Sequence, residues 1–377
     1  MLIALVLVFL YPYLIYPAVL WVVVRMRRDA GQKPGGSAEA LAPLVALVIC
    51  ALNEEQAIAE KLVNCRALDY PRDRLQIVVV SDGSTDRTAE VARRFAGDEV
   101  EVIEQPVRRG KIANLNEVLP QCAEEILVLS DANVMYRPDA LRKLVARFQD
   151  PDIGCVSGKV MLTDSTAALD KPTENYYSLE WFLQAGASSI YSMVGADGAM
   201  YALRRKLFRP CPADTLIEDL VIPMAVIRQG KRVVHEPAAV GWERGPSSLR
   251  EEFRRKVRIA AGAAQGLLRG NAWPPPSASL SFWFVFVSHK LLRWISPVVG
   301  AAIVICAALC SDRASARVVL AGLGASCTLA ALQLVWRSGN RLLSVPFYFL
   351  FGQAAVGLGL VRGITGRQSV LWAKQDR

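Results

Sequence analysis

The stretch VALVICALNEE at residues 45–55 decides the fold. Its apolar run is typical of a strand buried on both faces, and an Asn-Glu-Glu turn follows the run directly. The same design recurs in LQIVVVSDGSTD at 75–86 and ILVLSDAN at 126–133, where acidic and amide side chains come at the end of an apolar run. Because segments with helical spacing lie between the runs, the sequence predicts βαβ units and an α/β fold with a mostly parallel sheet.

The same two patterns continue along the chain. The predicted strands are at 44–50, 75–80, 100–104, 126–129, 153–162 and 232–235. The predicted helices are at 54–68, 85–95, 112–118, 140–148, 174–189, 218–228 and 249–268, and the last of these is long, basic and amphipathic. A loop is expected at 210–217.

The composition indicates a membrane protein with a basic part in water. The 377 residues are 53% hydrophobic and carry a net charge of +9, with a mean hydropathy of +0.26, a combination unusual for a soluble domain. Residues 1–26 have no charge before Arg25 and are long enough to cross a bilayer. Arg25, Arg27 and Arg28 follow, which by the positive-inside rule places this end and the domain after it in the cytosol of an inner-membrane protein.

Apolar stretches return near the end of the chain, at 297–310, 318–336 and 345–361. Residues 282–295 are aromatic-rich but include three basic side chains, which favours an amphipathic helix lying in the interface. The basic C-terminal end favours an even number of crossings after the domain, because three crossings would place this end outside the cell. The expected division is a transmembrane helix at 1–26, a linker at 27–43, a cytosolic domain at 44–245, amphipathic interfacial helices at 246–296, transmembrane helices at 297–361 and a basic tail at 362–377.

Cysteine and histidine usage excludes several kinds of site. The eight cysteines have no paired CxxC spacing, so they fit a reducing compartment as small apolar residues. The only histidines are His235 and His289, too few for a histidine-rich metal centre or a histidine-based triad. Nucleic-acid binding is not expected, since the positive charge is explained by the flanks of membrane helices and by a lipid-facing helix.

Polar side chains follow three of the predicted strands. They are Asn53 and Glu54, then Asp82, then Asp131 and Asn133. In open α/β sheets ligands bind outside the carboxyl ends of the strands, so these groups are expected to converge on one crevice. Carboxylates and amides suit a uracil or ribose together with a divalent cation that bridges two phosphates, here Mg²⁺ or Mn²⁺.

A basic turn and an acidic pair complete the candidate chemistry. Arg108, Arg109 and Lys111 are candidates for phosphate binding, or else form a solvated charged turn. Glu218 and Asp219 begin a helix behind a proline-containing loop, where they are either simple first-turn residues or an ionised general base. For an inverting sugar transfer, Asp219 would take the proton of the acceptor hydroxyl while the nucleotide diphosphate leaves on the opposite face.

The ordered set of these motifs resembles the family-two inverting glycosyltransferases, which include cellulose, chitin, hyaluronan and bacterial poly-N-acetylglucosamine synthases. The resemblance covers roughly residues 45–258. Its motifs appear in the family's order: Asn53-Glu54-Glu55, Ser81-Asp82-Gly83-Ser84-Thr85-Asp86, Gly110-Lys111 with Asn114-Leu115-Asn116, Asp131-Ala132-Asn133, Gly195-Ala196-Asp197-Gly198 and Glu218-Asp219.

The resemblance implies a fold and a set of roles. The fold is of GT-A type, a nucleotide-binding α/β sheet, flanked here by transmembrane and interfacial helices. Asp82 and Lys111 would hold the nucleotide, with Asn53 and Glu54 lining the same pocket. Asp131 would contact the donor near its ribose and diphosphate and bind the metal. Asp219 falls where the family has its catalytic base, and Asp197 and Gly198 would lie near the acceptor.

Two positions depart from the family pattern. The metal motif ends in Asn133 where a second Asp is usual, and an amide is a weaker ligand for a hard cation. The Gln-x-x-Arg-Trp motif of processive members is reduced to Arg255-Lys256-Val257-Arg258-Ile259. Arg255 and Arg258 would contact diphosphate or product, or else rest on anionic lipid headgroups.

The expected protein is therefore a multi-pass membrane glycosyltransferase that transfers a hexose or N-acetylhexosamine from a UDP-sugar to a glycan or lipid-linked acceptor. Two alternatives stay open. One is a polyprenyl-phosphate glycosyltransferase, and the other is a degenerate nucleotide-binding module that acts as a membrane scaffold.

Overall fold

The computed structural model of the chain describes residues 1–29, 42–163, 172–336 and 340–371. Most of the linker expected at 27–43, and residues 372–377 of the expected basic tail, lie outside the described residues.

Helices form both ends of the described chain, and strands alternate with helices between them. The strands are β1 Val45–Ala51, β2 Leu75–Asp82, β3 Val100–Gln105, β4 Ile126–Asp131, β5 Met135–Tyr136, β6 Ile153–Thr163, β7 Met200–Arg204 and β8 Arg232–Arg244. The helices are α1 Leu2–Leu10, α2 Tyr16–Asp29, α3 Ile58–Arg66, α4 Thr88–Arg93, α5 Lys111–Val118, α6 Ala140–Ala146, α7 Pro172–Ile190, α8 Glu218–Arg228, α9 Leu249–Leu268, α10 Leu280–Val285, α11 Leu292–Leu309, α12 Ala314–Trp336 and α13 Arg341–Ile364. Two π-helical turns, Tyr11–Ile15 and Phe286–Leu291, join α1 to α2 and α10 to α11.

Within the described ranges the strands form one eight-stranded sheet in the order β3-β2-β1-β4-β7-β6-β8-β5. The first four strands are parallel, β6 and β8 are parallel to each other, and β7 runs antiparallel between β4 and β6. Buried apolar side chains cover both faces, which explains why β1 is apolar at every position. The predicted α/β fold with a mostly parallel sheet is confirmed.

Strand β7 was not expected from the sequence. It has only five residues and comes directly after the glycine-rich segment 195–198, so no long apolar run announces it. It pairs with β4 on one side and with β6 on the other, and this double pairing supplies its burial. By reversing direction at this point, the chain brings segment 195–198 to the carboxyl end of β4.

The helical ends of the chain include four helices that are long and apolar enough to cross a membrane, counted over the described residues. They are Leu2–Met26, Leu280–Leu309, Ala314–Trp336 and Arg341–Ile364. Helical structure continues from 280 to 309, across the expected boundary between an interfacial segment ending at 296 and a membrane segment beginning at 297. The basic residues of this helix reach a partly buried carboxylate, Glu180, on α7.

The amphipathic helix α9 joins the α/β domain to the apolar helices. It begins with a capping box, in which Ser248 Oγ accepts the Glu251 N–H and Glu251 Oε2 accepts the Ser247 N–H. Gly359 and Gly363 of α13 face small residues of α9, and this small-xxx-small spacing lets the two backbones approach closely. A Cβ at Gly359 would lie 2.5 Å from the carbonyl oxygen of Val257.

We predict that Gly359→Ala destabilises the protein, because the added methyl group meets the backbone of α9. The expected cost is about 1–3 kcal/mol, typical of overpacking. Thermal unfolding of the purified full chain in detergent measures it. Gly352→Ala is the matched control, since a Cβ there has nothing within 4 Å; it should be neutral or slightly stabilising. Equal melting temperatures for the two variants would contradict the packing.

Candidate active site

The turn after β1 and the loop after β2 are fastened to each other by reciprocal hydrogen bonds. Asn53 adopts a left-handed backbone with φ of 55°, and its side-chain oxygen accepts the Thr85 N–H at 2.7 Å. Its own N–H donates to Ser84 Oγ at 3.1 Å. The N–H of Glu54 donates to Thr88 Oγ1 at 2.7 Å. These bonds fix the edge of the crevice at the ends of β1 and β2.

Asp82 at the end of β2 shapes the loop that precedes α5. Its two carboxylate oxygens accept the backbone N–H groups of Arg109 at 2.7 Å and of Gly110 at 2.8 Å. Gly110 has a φ of 92°, a conformation that favours glycine, and α5 begins at the next residue. Asp82 therefore sets the position from which the Lys111 side chain starts.

Lys111 connects the parallel part of the sheet with the acidic pair. Its ammonium lies 2.9 Å from Asp131 Oδ1 and 2.6 Å from Glu218 Oε1, and it donates to the carbonyl oxygen of Gly198 at 3.3 Å. Burial by itself lowers the pKa of Lys111, but the carboxylates of Asp131 and Glu218 raise this pKa well above its usual value. The lysine is thus a fixed positive charge at the centre of the crevice.

Asp219 lies against the glycine-rich segment 195–198. A Cβ at Gly198 would be 2.9 Å from Asp219 Oδ2, so only glycine leaves room for this carboxylate. The Ala196 N–H donates to the backbone carbonyl of Asp219 at 2.7 Å. Burial and the neighbouring charge of Glu218 raise the pKa of Asp219 to about 7. A carboxylate with this pKa accepts a proton efficiently near neutral pH.

Asp197 is a second buried carboxylate beside the same crevice. Its N–H donates to Ser157 Oγ at 2.9 Å, and its Oδ1 accepts the Ala199 N–H at 3.1 Å. Burial raises the pKa of Asp197 to about 6, and the negative charge of Asp131 adds to the effect. Strand β7, which follows directly, holds this carboxylate close to the end of β4.

Two amide side chains position the loop that leads to the acidic pair. Asn116 on α5 forms two hydrogen bonds with the backbone of Cys211: its Nδ2 donates to the Cys211 carbonyl at 2.7 Å, and its Oδ1 accepts the Cys211 N–H at 2.9 Å. Gln265 on α9 accepts the Leu216 N–H at 3.0 Å. The sequence motif with Asn116 was noted, but the contribution of Gln265 was not expected.

A buried lysine supports the segment that carries Asp131 and Asn133. Lys61 on α3 donates to Ser130 Oγ at 2.8 Å and to the Val134 carbonyl at 2.5 Å, and lies over the Tyr136 ring. Burial lowers its pKa. The sequence analysis missed this residue, although a lysine on the apolar side of a predicted helix was a usable signal.

Asp131 and Asn133 are the candidate cation ligands. The Asn133 side-chain nitrogen is buried without a hydrogen-bond partner, and the oxygen of this amide is the atom that could ligate a cation. Among the described residues no three His, Cys, Asp or Glu side chains gather as a metal site. One carboxylate and one amide nevertheless fit a cation such as Mg²⁺, which takes its other ligands from water and substrate phosphates.

The two candidate arginines of α9, Arg255 and Arg258, both have protein partners. Arg255 Nε donates to Glu252 Oε2 at 2.8 Å on the same helix. Arg258 Nη1 donates to the carbonyl oxygens of Ser369 and Val370, at 3.0 and 3.1 Å. Arg258 therefore holds the segment after α13 beside the domain.

Contacts join most of the predicted site residues in one cluster at the carboxyl ends of the parallel strands. Lys111 joins Asp131 to Glu218, Asp82 positions the start of the Lys111 helix, and Asp219 lies beside Gly198. Asn53 and Glu54 lie at its edge through the bonds described above. The arrangement offers a fixed cation for phosphate, ligands for a metal and a carboxylate able to accept a proton.

Comparison with known proteins identifies the domain. Residues 46–210 match the sequence profile of Glycosyl transferase family 2. The chain carries a family-two glycosyltransferase domain. The acidic pair and α9 lie after the matched residues, and the contacts of Asn116 with Cys211 and of Lys111 with Glu218 tie the acidic pair and the loop before it to the family-two domain.

Two curated relatives share this domain. The poly-β-1,6-N-acetyl-D-glucosamine synthase of Staphylococcus aureus (strain COL) is 25% identical over 276 residues, covering 69% of this chain and 66% of that protein. The probable glycosyltransferase YdaM of Bacillus subtilis (strain 168) is 29% identical over 231 residues, covering 58% of this chain and 55% of that protein. The chain thus spans slightly less than two thirds of the first relative and just over half of the second.

A solved structure resembles nearly the whole chain. The mannosyltransferase PcManGT from Pyrobaculum calidifontis, in complex with GDP-Man and Mn²⁺, has a TM-score of 0.73 and 25% identity, with 97% of this chain and 99% of that chain covered. The likeness therefore includes the apolar helices as well as the family-two domain. It confirms the expected GT-A fold with flanking membrane helices.

We predict that Lys111→Met weakens binding of a nucleoside diphosphate at least about tenfold, the usual order of one charge-assisted contact. The reason is that the variant leaves Asp131 and Glu218 without the cation between them. Isothermal titration of the full chain measures the affinity. Lys111→Arg should retain part of it, and Lys143→Met, which removes a lysine on α6 paired with Asp139, should retain all of it. Unchanged affinity in Lys111→Met would contradict the role.

Proposed function

We propose that this protein transfers a sugar, with inversion, from a UDP-sugar to a hydroxyl of a glycan or lipid-linked acceptor at the membrane. The observation that carries the proposal is the juxtaposition of a proton-accepting carboxylate, Asp219, with a cation, Lys111, that bridges Asp131 and Glu218. The first group serves the acceptor and the second serves the leaving diphosphate. A shared crevice for both is what a single displacement reaction needs.

In the proposed step the bonds to carbon form and break within the two substrates, and a side chain of the protein accepts the proton. The acceptor oxygen forms a bond to the anomeric carbon, while the bond from that carbon to the diphosphate breaks and the nucleoside diphosphate leaves with the electron pair. Asp219 takes the proton of the acceptor hydroxyl. Its pKa of about 7 supports this role, because a base works best when its pKa is near the working pH.

Lys111 is proposed to bind the donor diphosphate. As a partly buried and permanently charged ammonium it would stabilise the negative charge that grows on the leaving group. Asp82, Asn53 and Glu54 are proposed to line the nucleotide pocket, and their hydrogen bonds at the ends of β1 and β2 support this assignment. Uridine remains the expected nucleoside of the donor. Guanosine is the alternative to test, because PcManGT was solved in complex with GDP-Man.

A divalent cation, Mg²⁺ or Mn²⁺, is proposed to bind Asp131 and Asn133. When bound, it would neutralise charge on the diphosphate. The oxygen ligands that Asp131 and Asn133 can offer support this assignment, as does the presence of Mn²⁺ in the PcManGT complex. An amide in place of the second carboxylate favours a weakly held cation that binds together with the nucleotide.

The proposed location is the inner membrane, with the family-two domain in the cytosol. The four apolar helices and the positive charge of Arg25 after the first of them support it. The end of α13 lies on the domain side, since Arg258 bonds residues 369 and 370 and a Cβ at Gly110 would meet Leu371. This contact supports the proposal of an even number of crossings after the domain.

The test of the function is a donor screen on the full chain in membranes, with radiolabelled UDP-sugars and GDP-mannose. We expect incorporation from a UDP-sugar that is lost on chelation of divalent cations. Asp219→Asn should lower turnover at least about a hundredfold, the usual contribution of a general base, while nucleotide affinity is kept. Incorporation from GDP-mannose alone would replace the uridine donor. Nucleotide binding without turnover from any donor would favour the scaffold alternative.

The acid limb of the rate profile should report the Asp219 carboxylate. Since the ionised form is the base, kcat/KM should rise about tenfold per pH unit below an apparent pKa near 7 and then level off. Glu218→Gln should move this limb to lower pH, because the negative charge of Glu218 raises the pKa of Asp219. Initial rates measured at a saturating divalent cation over about three pH units test both the position of the acid limb and its shift. A profile that is flat below neutrality would remove Asp219 as the base.

A further inference from the structure

A group of ionisable side chains lies where the apolar helices meet the family-two domain. Glu180 on α7 has one oxygen bonded to Arg293 Nη1 at 2.7 Å. Its other oxygen is shared by Lys290 Nζ at 3.0 Å and His289 Nε2 at 3.1 Å. The three basic residues belong to the continuous helix 280–309, one of the candidate membrane spans. Ionisable residues in such a position are costly and tend to mark substrate pathways.

The backbone at this point is also unusual. His289 and Lys290 lie in the π-helical turn Phe286–Leu291, and π-turns inside α-helices are frequent at functional sites. A second π-helical turn, Tyr11–Ile15, faces it, and the hydroxyls of Tyr11 and Ser288 lie 2.9 Å apart. The ring of Tyr16 stacks on that of His289. The contacts between the two turns therefore fix the positions of His289 and Lys290 against the first candidate membrane span.

The Glu180 carboxylate remains ionised in this setting. Burial raises its pKa, but Lys290, Arg293 and His289 together lower it well below the usual value. Arg293 occupies one oxygen, so Lys290 receives only a share of the other. The Lys290 ammonium can donate three hydrogen bonds. Among the described residues, Glu180 is the one acceptor within hydrogen-bond distance of it. Its side chain is 22% exposed, so a ligand can reach it.

The segment that carries Lys290 and the helix that begins at the proposed base belong to one buried apolar cluster, which contains Phe282 and Phe286 together with Leu220 and Val221 of α8. The positive charge of Lys290 also opposes in part the effect of burial on the pKa of Asp219. A ligand held by Lys290 would therefore lie on the side of α8 that faces the apolar helices. Lys111, which is proposed to bind the donor, lies on the side of Asp131 and Glu218.

We propose that Lys290, braced by Glu180, binds the phosphate of a lipid-anchored acceptor whose hydroxyl faces Asp219. This inference rests on the proposed function and names the acceptor class for it. The acceptor would be a lipid that contains both a phosphate and an alcohol hydroxyl. Two kinds of lipid have both groups: a phospholipid with a hydroxyl in its headgroup, and a lipid-diphosphate-linked sugar. The sugar goes to the hydroxyl oxygen, whose proton passes to Asp219, and the lipid phosphate remains unchanged.

The test uses the full chain in phosphatidylcholine vesicles with the donor found in the screen. Four acceptors are added in separate arms: phosphatidylglycerol, a polyprenyl-diphosphate-linked sugar, a neutral diacylglycerol glucoside and a polyprenyl phosphate. We expect labelled, organic-extractable product from one of the first two, and at least about tenfold less from the neutral glucoside, the usual order of one charge-assisted contact. Transfer to the neutral glucoside at an equal rate, or to polyprenyl phosphate, which has no hydroxyl, would overturn the proposal.

Variants separate a phosphate contact from general attraction to the membrane. Lys290→Met should raise KM for the acceptor about tenfold and leave KM for the donor unchanged, and Lys290→Arg should restore most of the effect. Arg254→Met is the matched control, because it removes an exposed positive charge on α9 and should change neither constant. An unchanged acceptor KM in Lys290→Met, with the same folded content, would overturn the proposal.

Binding of the same lipids, measured by native mass spectrometry, distinguishes failure of the inference from failure of the function. Lys290-dependent binding of the anionic acceptors with no transfer from any donor would support the phosphate site and reject the transferase reaction. Transfer with no dependence on Lys290 would support the reaction and reject the site. Loss of both would reject both.

Discussion

The ammonium of Lys111 between two carboxylates is the interaction on which the rest of the site depends. Asp131 ends a strand of the parallel half of the sheet, and Glu218 begins a helix that comes much later in the chain. Without a cation between them, the two carboxylates would repel each other. Because Asp82 fixes the loop from which Lys111 extends, the ends of β2 and β4 and the starts of α5 and α8 are held in a single arrangement.

The same arrangement is tied to the apolar helices through α9. Gly359 and Gly363 let α13 lie against α9, and Gln265 of α9 bonds the loop that leads into Asp219. Gly262 lets α9 approach Ile217 of that loop. A displacement of the apolar helices would therefore move the Asp219 carboxylate, the proposed base, so the position of the proposed site depends on how the apolar helices pack.

How far the sequence predicted the structure depended on how local each signal was. The apolar runs of β1, β2 and β4 predicted buried parallel strands, because side chains covered on both faces must be apolar throughout. Strand β7 was missed, since five residues next to a glycine-rich segment leave no such run. The helix 280–309 was divided at its basic residues, because their partner Glu180 lies about a hundred residues away and the local pattern gave no sign of it.

The sequence by itself determined the kind of fold and which strand ends would carry polar groups, because alternation of apolar runs and helical spacing is a local property and parallel strands end at one edge. Only the tertiary structure decided which of those groups meet. It placed Lys111 between Asp131 and Glu218, and it brought Lys290 and Arg293 to Glu180. Contacts between residues far apart in the chain depend on how the helices pack, and packing leaves no periodic trace in the sequence.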